Sequence, residues 1–152
     1  MFRFLFGVLF VGVGGLSLIL FAKITTLECD RLEPKQIECT LVSEGVLGTN
    51  TTLIPPGHLQ GAKVQVSEDS DSNDIYRVVL RTETGNVPFS AVYSSGRSGK
   101  QQKAEQINAY LNNVNQKVLT IQQDDRIFGY VFGGIFGLSG VAMMGSSLLS
   151  RH

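Results

Sequence analysis

The chain has no tryptophan, and only two cysteines, two histidines and four prolines among its 152 residues. His58 is the only internal histidine and lies in a Pro-Gly loop with no second His or Cys near it in sequence. A histidine-centred triad and a zinc set are therefore not expected. Neither sign of charge is in excess, with thirteen bases against thirteen acids. That balance gives no basic stripe for nucleic acid and no polybasic lipid anchor. The acids Asp and Glu fall on turns and strand faces without a paired arrangement. No catalytic residue, metal ligand, cofactor site or small-molecule substrate site is expected, and the chain reads as a non-enzyme.

Charge is also missing locally. Ile127 to Leu149 runs twenty-three residues without a charge, and Phe4 to Ala22 forms a matching stretch near the start. At about 1.5 Å per residue each spans a hydrocarbon core of about 30 Å. Every acid lies between Glu28 and Asp125, and only Arg3 and Arg151 among the bases lie outside Lys23 to Arg126. The expected layout is a transmembrane helix in residues 1–23, a soluble domain in 24–125, and a second transmembrane helix with a short tail in 126–152. The first stretch is longer than a signal-peptide core and lacks a cleavage site after Ala22, so it reads as a retained anchor. Lys23, Arg31, Lys35, Lys117 and Arg126 flank the spans on the domain side, against Arg3 and Arg151 on the tail side. The positive-inside bias then favours an integral membrane protein with a cytoplasmic domain, although long loops obey that rule weakly.

Glycine is plentiful where charge is absent. Gly7, Val11 and Gly15 share one i, i+4 ridge of the first span. Gly129, Gly133, Gly137, Val141 and Gly145 recur at four-residue intervals in the second, a small-xxx-small pattern that admits a close backbone. Phe128, Phe132 and Phe136 form a bulky ridge beside it. The two spans can pack on each other as a hairpin, or on another membrane subunit, or both. Neither contains an ionisable residue, so an ion pathway is not expected.

The middle segment alternates as strands do. Ile24 to Arg31, Gln36 to Ser43, Thr51 to Ile54, Ala62 to Ser67, Ile75 to Thr82 and Val87 to Val92 read as an antiparallel meander joined by turns. Gln101 to Lys117 places Ala104, Ile107, Leu111, Val114 and Val118 at helical spacing, with Tyr110 at the border, an amphipathic helix lying on a sheet. Leu119 to Gln122 is a last short strand. Cys29 and Cys39 sit symmetrically about Pro34. They suit a disulfide in an oxidising compartment, or two reduced, half-buried thiols.

Three motif likenesses fail on inspection. Asp69, Asp71 and Asn73 start like a calcium loop, but Asp74 replaces its glycine and Leu80 its final glutamate. Gly96 to Lys100 lacks the spacing and the Ser or Thr of a phosphate loop. Asn50-Thr51-Thr52 matters as a glycosylation acceptor only in a eukaryotic secretory lumen. Arg97, Lys100 and Lys103 do cluster at a helix start, where lipid headgroups or an acidic partner could bind.

The runs LIPPGHLQGAKVQV, YRVVLRTETGNVPFS and AEQINAYLNN resemble bacterial pleckstrin-homology-like domains, which pair antiparallel strands with a closing amphipathic helix and are often tethered by transmembrane helices. The resemblance covers about residues 24–123 and implies an α+β fold, a pleckstrin-homology-like sheet or barrel flanked by two transmembrane helices. Leu119 to Gln122 departs from it, since the family usually ends at the helix. The layout is also similar to small two-span proteins of cyanobacteria, some of which are auxiliary or assembly factors of photosynthetic complexes. That likeness implies a plasma or thylakoid membrane and docking on a larger membrane complex. A membrane-anchored lipid- or peptide-binding sensor is the alternative. The fold itself fixes neither.

Overall fold

The computed structural model describes residues 2–149. Arg151 and the tail beyond Leu149 lie outside the described residues, as does the Arg3 side chain. The elements run α1 (Phe2–Phe21), β1 (Lys23–Glu33), β2 (Gln36–Gly45), β3 (Gly48–Ile54), β4 (Leu59–Glu68), β5 (Asp74–Thr82), β6 (Gly85–Pro88), α2 (Arg97–Asn112), β7 (Val118–Asp124) and α3 (Arg126–Leu149). The fold is mixed α+β with antiparallel sheets. Chain contacts divide it into a helical unit, residues 1–24, 44–49 and 124–152, and a β unit, residues 25–43 and 50–123.

In the helical unit α1 packs on α3. Both are long and apolar enough to cross a membrane, with mean hydropathy 2.5 over Phe4–Phe21 and 1.7 over Arg126–Ser146. Only 11% and 17% of those windows are buried within the chain, unlike the core helix of a water-soluble protein. Each serine with a described bond donates to its own helix, Ser17 Oγ to the Val13 carbonyl at 2.8 Å and Ser146 Oγ to Met143 at 3.0 Å. That satisfies the hydroxyls without water.

The strands form two open sheets, ordered β3-β2-β1-β7 and β4-β5-β6. A closed pleckstrin-homology-like barrel is not formed. Two features leave the smaller sheet open. β6 is four residues long and ends in Pro88, which cannot donate to a ladder. β4 finds a side chain at its edge: Asn108 of α2 accepts from the Ala62 amide at 2.8 Å and donates to the Ala62 carbonyl at 2.9 Å, as a neighbouring strand would. The meander is also interrupted. After α2 the chain returns as β7 beside β1, where the Arg31 amide donates to the Lys117 carbonyl at 2.8 Å. Leu119, Ile121 and Gln123 of β7 are buried between exposed neighbours, the alternation of a half-buried strand.

Both sheets and α2 share one core, with Leu27, Ile37 and Ile54 from the first sheet, Val78 and Leu80 from the second, and Ala104, Ile107 and Tyr110 from α2. The helix differs from its expected span of 101–117. It begins at Arg97 and stops at Asn112, leaving Val114 and Val118 exposed. Asn113 explains the stop: its amide bonds the Ala109 and Tyr110 carbonyls, while its own Oδ1 accepts from the Asn115 amide at 3.2 Å. Such local bonding competes with helix continuation. Tyr110, expected at the border of the apolar stripe, is fully buried at its centre.

Cys29 and Cys39 are disulfide-bonded across β1 and β2, with Cα atoms 4.1 Å apart and both residues fully buried. Directly opposed, non-hydrogen-bonded strand positions approach to about this distance.

Candidate functional site: the glycine contact of the two apolar helices

Glycines of α1 and α3 meet the facing backbone closely. A Cβ on Gly7 would lie 2.8 Å from the Gly140 carbonyl oxygen, and one on Gly140 would lie 2.6 Å from that of Gly7. A Cβ on Gly14 would stand 2.8 Å from the Gly137 nitrogen and 2.9 Å from the Gly133 oxygen. One on Gly129 would meet the Ala22 backbone at 2.7 Å, and one on Gly133 the Leu18 side chain at 2.5 Å. At Gly7, Gly14, Gly129 and Gly140 the obstacle is backbone, which cannot rotate away; at Gly133 it is the Leu18 side chain.

The contact does not follow the four-residue ridges. It uses positions 7, 11, 14 and 18 of α1 with Ala22 just beyond its end, and positions 129, 133, 137, 140 and 144 of α3. These steps of three and four average about 3.75, close to the 3.6-residue turn of the helix, so the contact drifts by only about 60° over fifteen residues. A strict four-residue row on a 3.6-residue helix drifts by about 40° per step. From Gly129 to Gly145 the drift reaches about 160°. Gly7, Gly129 and Gly133 therefore face the partner helix. A Cβ on Gly15, Gly137 or Gly145 would meet nothing within 4 Å, although the Gly137 backbone itself is touched by Gly14. Gly14 and Gly140 belong to the contact without having stood out in the sequence pattern. The signal for them was the seven-residue spacing of Gly7 with Gly14 and of Gly133 with Gly140.

Phenylalanines line the contact. Phe128 and Phe132 are 4.5 Å apart between ring centroids and Phe132 and Phe136 6.4 Å. Phe10 reaches Phe136 at 5.6 Å, and Phe21 meets Phe128 edge-on at 5.7 Å. Bulky rings beside glycines give the contact its interlocking shape, since tilted and edge-on pairs are the favoured aromatic geometries.

A backbone bond ties the two helix ends together. Asp125 donates its amide to the Lys23 carbonyl at 2.9 Å. Asp124 accepts from the Arg126 guanidinium at 2.8 and 3.0 Å, and this pairing holds the Asp124 carboxyl below the usual carboxylate range.

In the β unit the three basic residues expected at one anion-binding helix start do not present three free cations. Arg97 is exposed. Lys100 is buried and donates to the Ser95 carbonyl at 2.8 Å. Lys103 donates to Gln123 Oε1 at 3.4 Å. The helix start carries no side-chain cap, and Gly96 precedes it at φ 88°. Asp69 Oδ1 accepts the Asp71 and Asn73 amides, each at 2.9 Å. This turn geometry accounts for the calcium-like spelling of that loop. His58 Nδ1 lies 3.6 Å from a Glu83 oxygen in a neighbouring turn.

A polar clasp that sequence reasoning missed closes α2 onto β1. Arg31 donates to the carbonyls of Pro34 and Tyr110, each at 2.6 Å, and to that of Gln116 at 3.1 Å. Its guanidinium stands 5.0 Å from the centre of the Tyr110 ring. The Tyr110 hydroxyl donates to the carbonyls of Lys117 at 3.0 Å and Cys29 at 3.3 Å. Burial pushes its pKa up, against the pull of Arg31. An arginine over the last carbonyls of a helix is placed where the helix dipole favours it.

Comparison of the chain with protein-family models, with curated proteins and with solved structures finds no match in any of the three.

Proposed function

We propose that this is a non-enzymatic integral membrane protein, anchored by an α1–α3 hairpin, that docks on a larger membrane complex as a small subunit or auxiliary factor. One observation carries the reading. Gly12, Gly15, Gly134 and Gly145 stand where a Cβ would meet nothing within 4 Å. Each helical glycine costs about 1 kcal/mol relative to alanine, and lipid gains nothing from its small size. Gly134 and Gly145 stand about 20° apart around the helix and offer a second close-approach face, away from Gly129. The resemblance to small two-span cyanobacterial proteins directs the first search to pigmented complexes.

The test is co-purification of the full chain from native membranes in mild detergent. A multi-subunit complex should be recovered at near-fixed ratio. Gly134→Leu and Gly145→Leu should release it while leaving the α1–α3 hairpin paired. Retention of the complex by both variants, or recovery of the protein alone, would count against docking. The lipid-sensor reading rested on the Arg97, Lys100 and Lys103 cluster, and the inward bonds of Lys100 and Lys103 weaken it.

Two features compete over which side of the membrane the β unit faces. The flanking basic residues favour the cytoplasm. The formed Cys29–Cys39 bond belongs to an oxidising compartment. Because a long loop obeys the charge bias weakly, we place the β unit on the oxidising side. Alkylation of intact cells before and after reductant checks this: both thiols should be blocked until reduced. Two freely alkylated thiols under denaturing, non-reducing conditions would place it in the cytoplasm.

A further inference from the structure

We propose that the β2–β3 turn, Val46-Leu47, is a second membrane contact that inserts between lipid headgroups beside the helix pair. The inference rests on the reading that α1 and α3 span a bilayer. Four hairpin turns join consecutive strands among the described residues, and their composition separates one from the rest. Pro34-Lys35 caps β1–β2, Glu83-Thr84 caps β5–β6, and the Asp69–Asn73 loop caps β4–β5. All three are polar, as turns facing water are. The β2–β3 turn instead carries valine and leucine at its tip, 61% and 81% exposed. It is also the only one of the four that belongs to the helical unit.

Its position within that unit sets its depth. Val46, Glu44 and Gly45 border a shallow recess together with Ala22, Arg126 and Tyr130 at the helix ends. Gly45 lies against the stem of Lys23, where a Cβ would be 3.1 Å from Cγ. Arg126 begins α3, and Tyr130, exposed, follows one turn later, about 6 Å along the axis. Charge followed one turn on by tyrosine marks the headgroup-to-acyl boundary of a spanning helix. Val46 shares that level. Two apolar side chains held there enter the boundary at which interfacial segments bury their apolar faces.

The surrounding charges are mixed. Lys23 and Arg126 stand with Glu44, Asp124 and Asp125, and Arg126 is paired to Asp124 at 2.8 Å. The occupant is therefore the apolar boundary of the bilayer itself, with no requirement for anionic lipid. Insertion should be the same in zwitterionic vesicles and insensitive to salt.

The experiment uses the full chain in phosphatidylcholine vesicles, with an environment-sensitive fluorophore at Leu47→Cys or, separately, at Ile135→Cys near the middle of α3. The native cysteines are bonded to each other and are not labelled without reductant. Leu47 emission should be blue-shifted, and quenched by a shallow lipid nitroxide about twofold more than by a deep one. Ile135 should show the reverse preference. Water-like, unquenched emission at Leu47 with a quenched Ile135 would overturn the inference and leave the spanning reading standing. Blue-shifted but unquenched emission at Leu47 would also overturn it, by placing the tip against a second copy of the chain. An unquenched Ile135 would remove the spanning reading itself.

Discussion

Replacing Gly140 by alanine tests the helix contact directly. The new Cβ would stand 2.6 Å from the Gly7 carbonyl oxygen and 2.9 Å from the Val11 nitrogen, both backbone atoms. Neither can rotate away, so the helices must part until the distance reaches ordinary contact near 3.4 Å, an opening of about 0.8 Å. A gap of that size forfeits about a quarter to a half of each affected van der Waals well, and forced overpacking costs about 1–3 kcal/mol. Alanine also adds about 1 kcal/mol of helix propensity, which masks part of the loss. Gly134→Ala supplies the reference, because its Cβ meets nothing within 4 Å. Both variants gain the same propensity, so their difference isolates the contact. It should amount to about 1–3 kcal/mol, or about tenfold in the pairing equilibrium for each 1.4 kcal/mol. The assay is energy transfer between dyes at exposed Leu9 and Leu138 in bicelles, titrated with SDS. Gly140→Ala should separate at a lower SDS fraction than Gly134→Ala. Equal midpoints would refute the backbone contact.

Three further outcomes follow from the β unit. Cys29 and Cys39 close a loop of sequence separation 10, so Cys29→Ala with Cys39→Ala should cost about 2.7 kcal/mol by loop entropy; melting of the reconstituted chain should fall by about 10–20 °C, at the 4–8 °C per kcal/mol of a small domain. Arg31→Met should lower stability by about 1–3 kcal/mol, and Arg31→Lys should not restore it, because one ammonium cannot serve three carbonyls as the guanidinium does; full rescue by lysine in chemical denaturation would contradict the clasp. The Asn73 amide, and then that of Asp71, hold the Asp69 carboxyl below the usual carboxylate range. A depressed folded pKa contributes stability that is present above the ordinary carboxylate value near 3.9 and is lost as pH falls through the lower folded value. The protection of the Asn73 amide from exchange should follow that acid limb, and the limb should vanish in Asp69→Asn.

The two long apolar helices were legible because length and absence of charge suffice to mark them, and most strands because alternation does. What was not legible depended on geometry outside the local pattern. Gly145 repeats the four-residue spelling of Gly129 and Gly133, yet the helical twist carries it to the other side. Val114 continues the apolar spacing of α2, but the side chain of Asn113 ends the helix first. Lys100 reads as a surface cation and is drawn inward by a carbonyl five residues back. Arg31 looked like one of several flanking charges, and only the end of α2 and the return toward β7 bring the Tyr110 and Gln116 carbonyls to it, beside the local one of Pro34. Val46-Leu47 is a two-residue apolar interruption, too short to register as periodicity of any kind.

The junctions of the two helices contain almost no slack. Phe21 ends α1 two residues before β1 starts, Asp124 ends β7 two residues before α3, and the Lys23–Asp125 bond ties the exits together. The rotational phase of α3 against α1 is thereby counted out by chain length. One residue inserted after Asp125 would turn α3 by about 100° and carry Gly129, Gly133 and Gly140 off Gly7 and Gly14, whereas seven would return it to within about 20°. Substitutions on the outer faces can accumulate singly, but changes of length at this point are tolerated only in steps that restore the helical phase, such as seven or eleven residues.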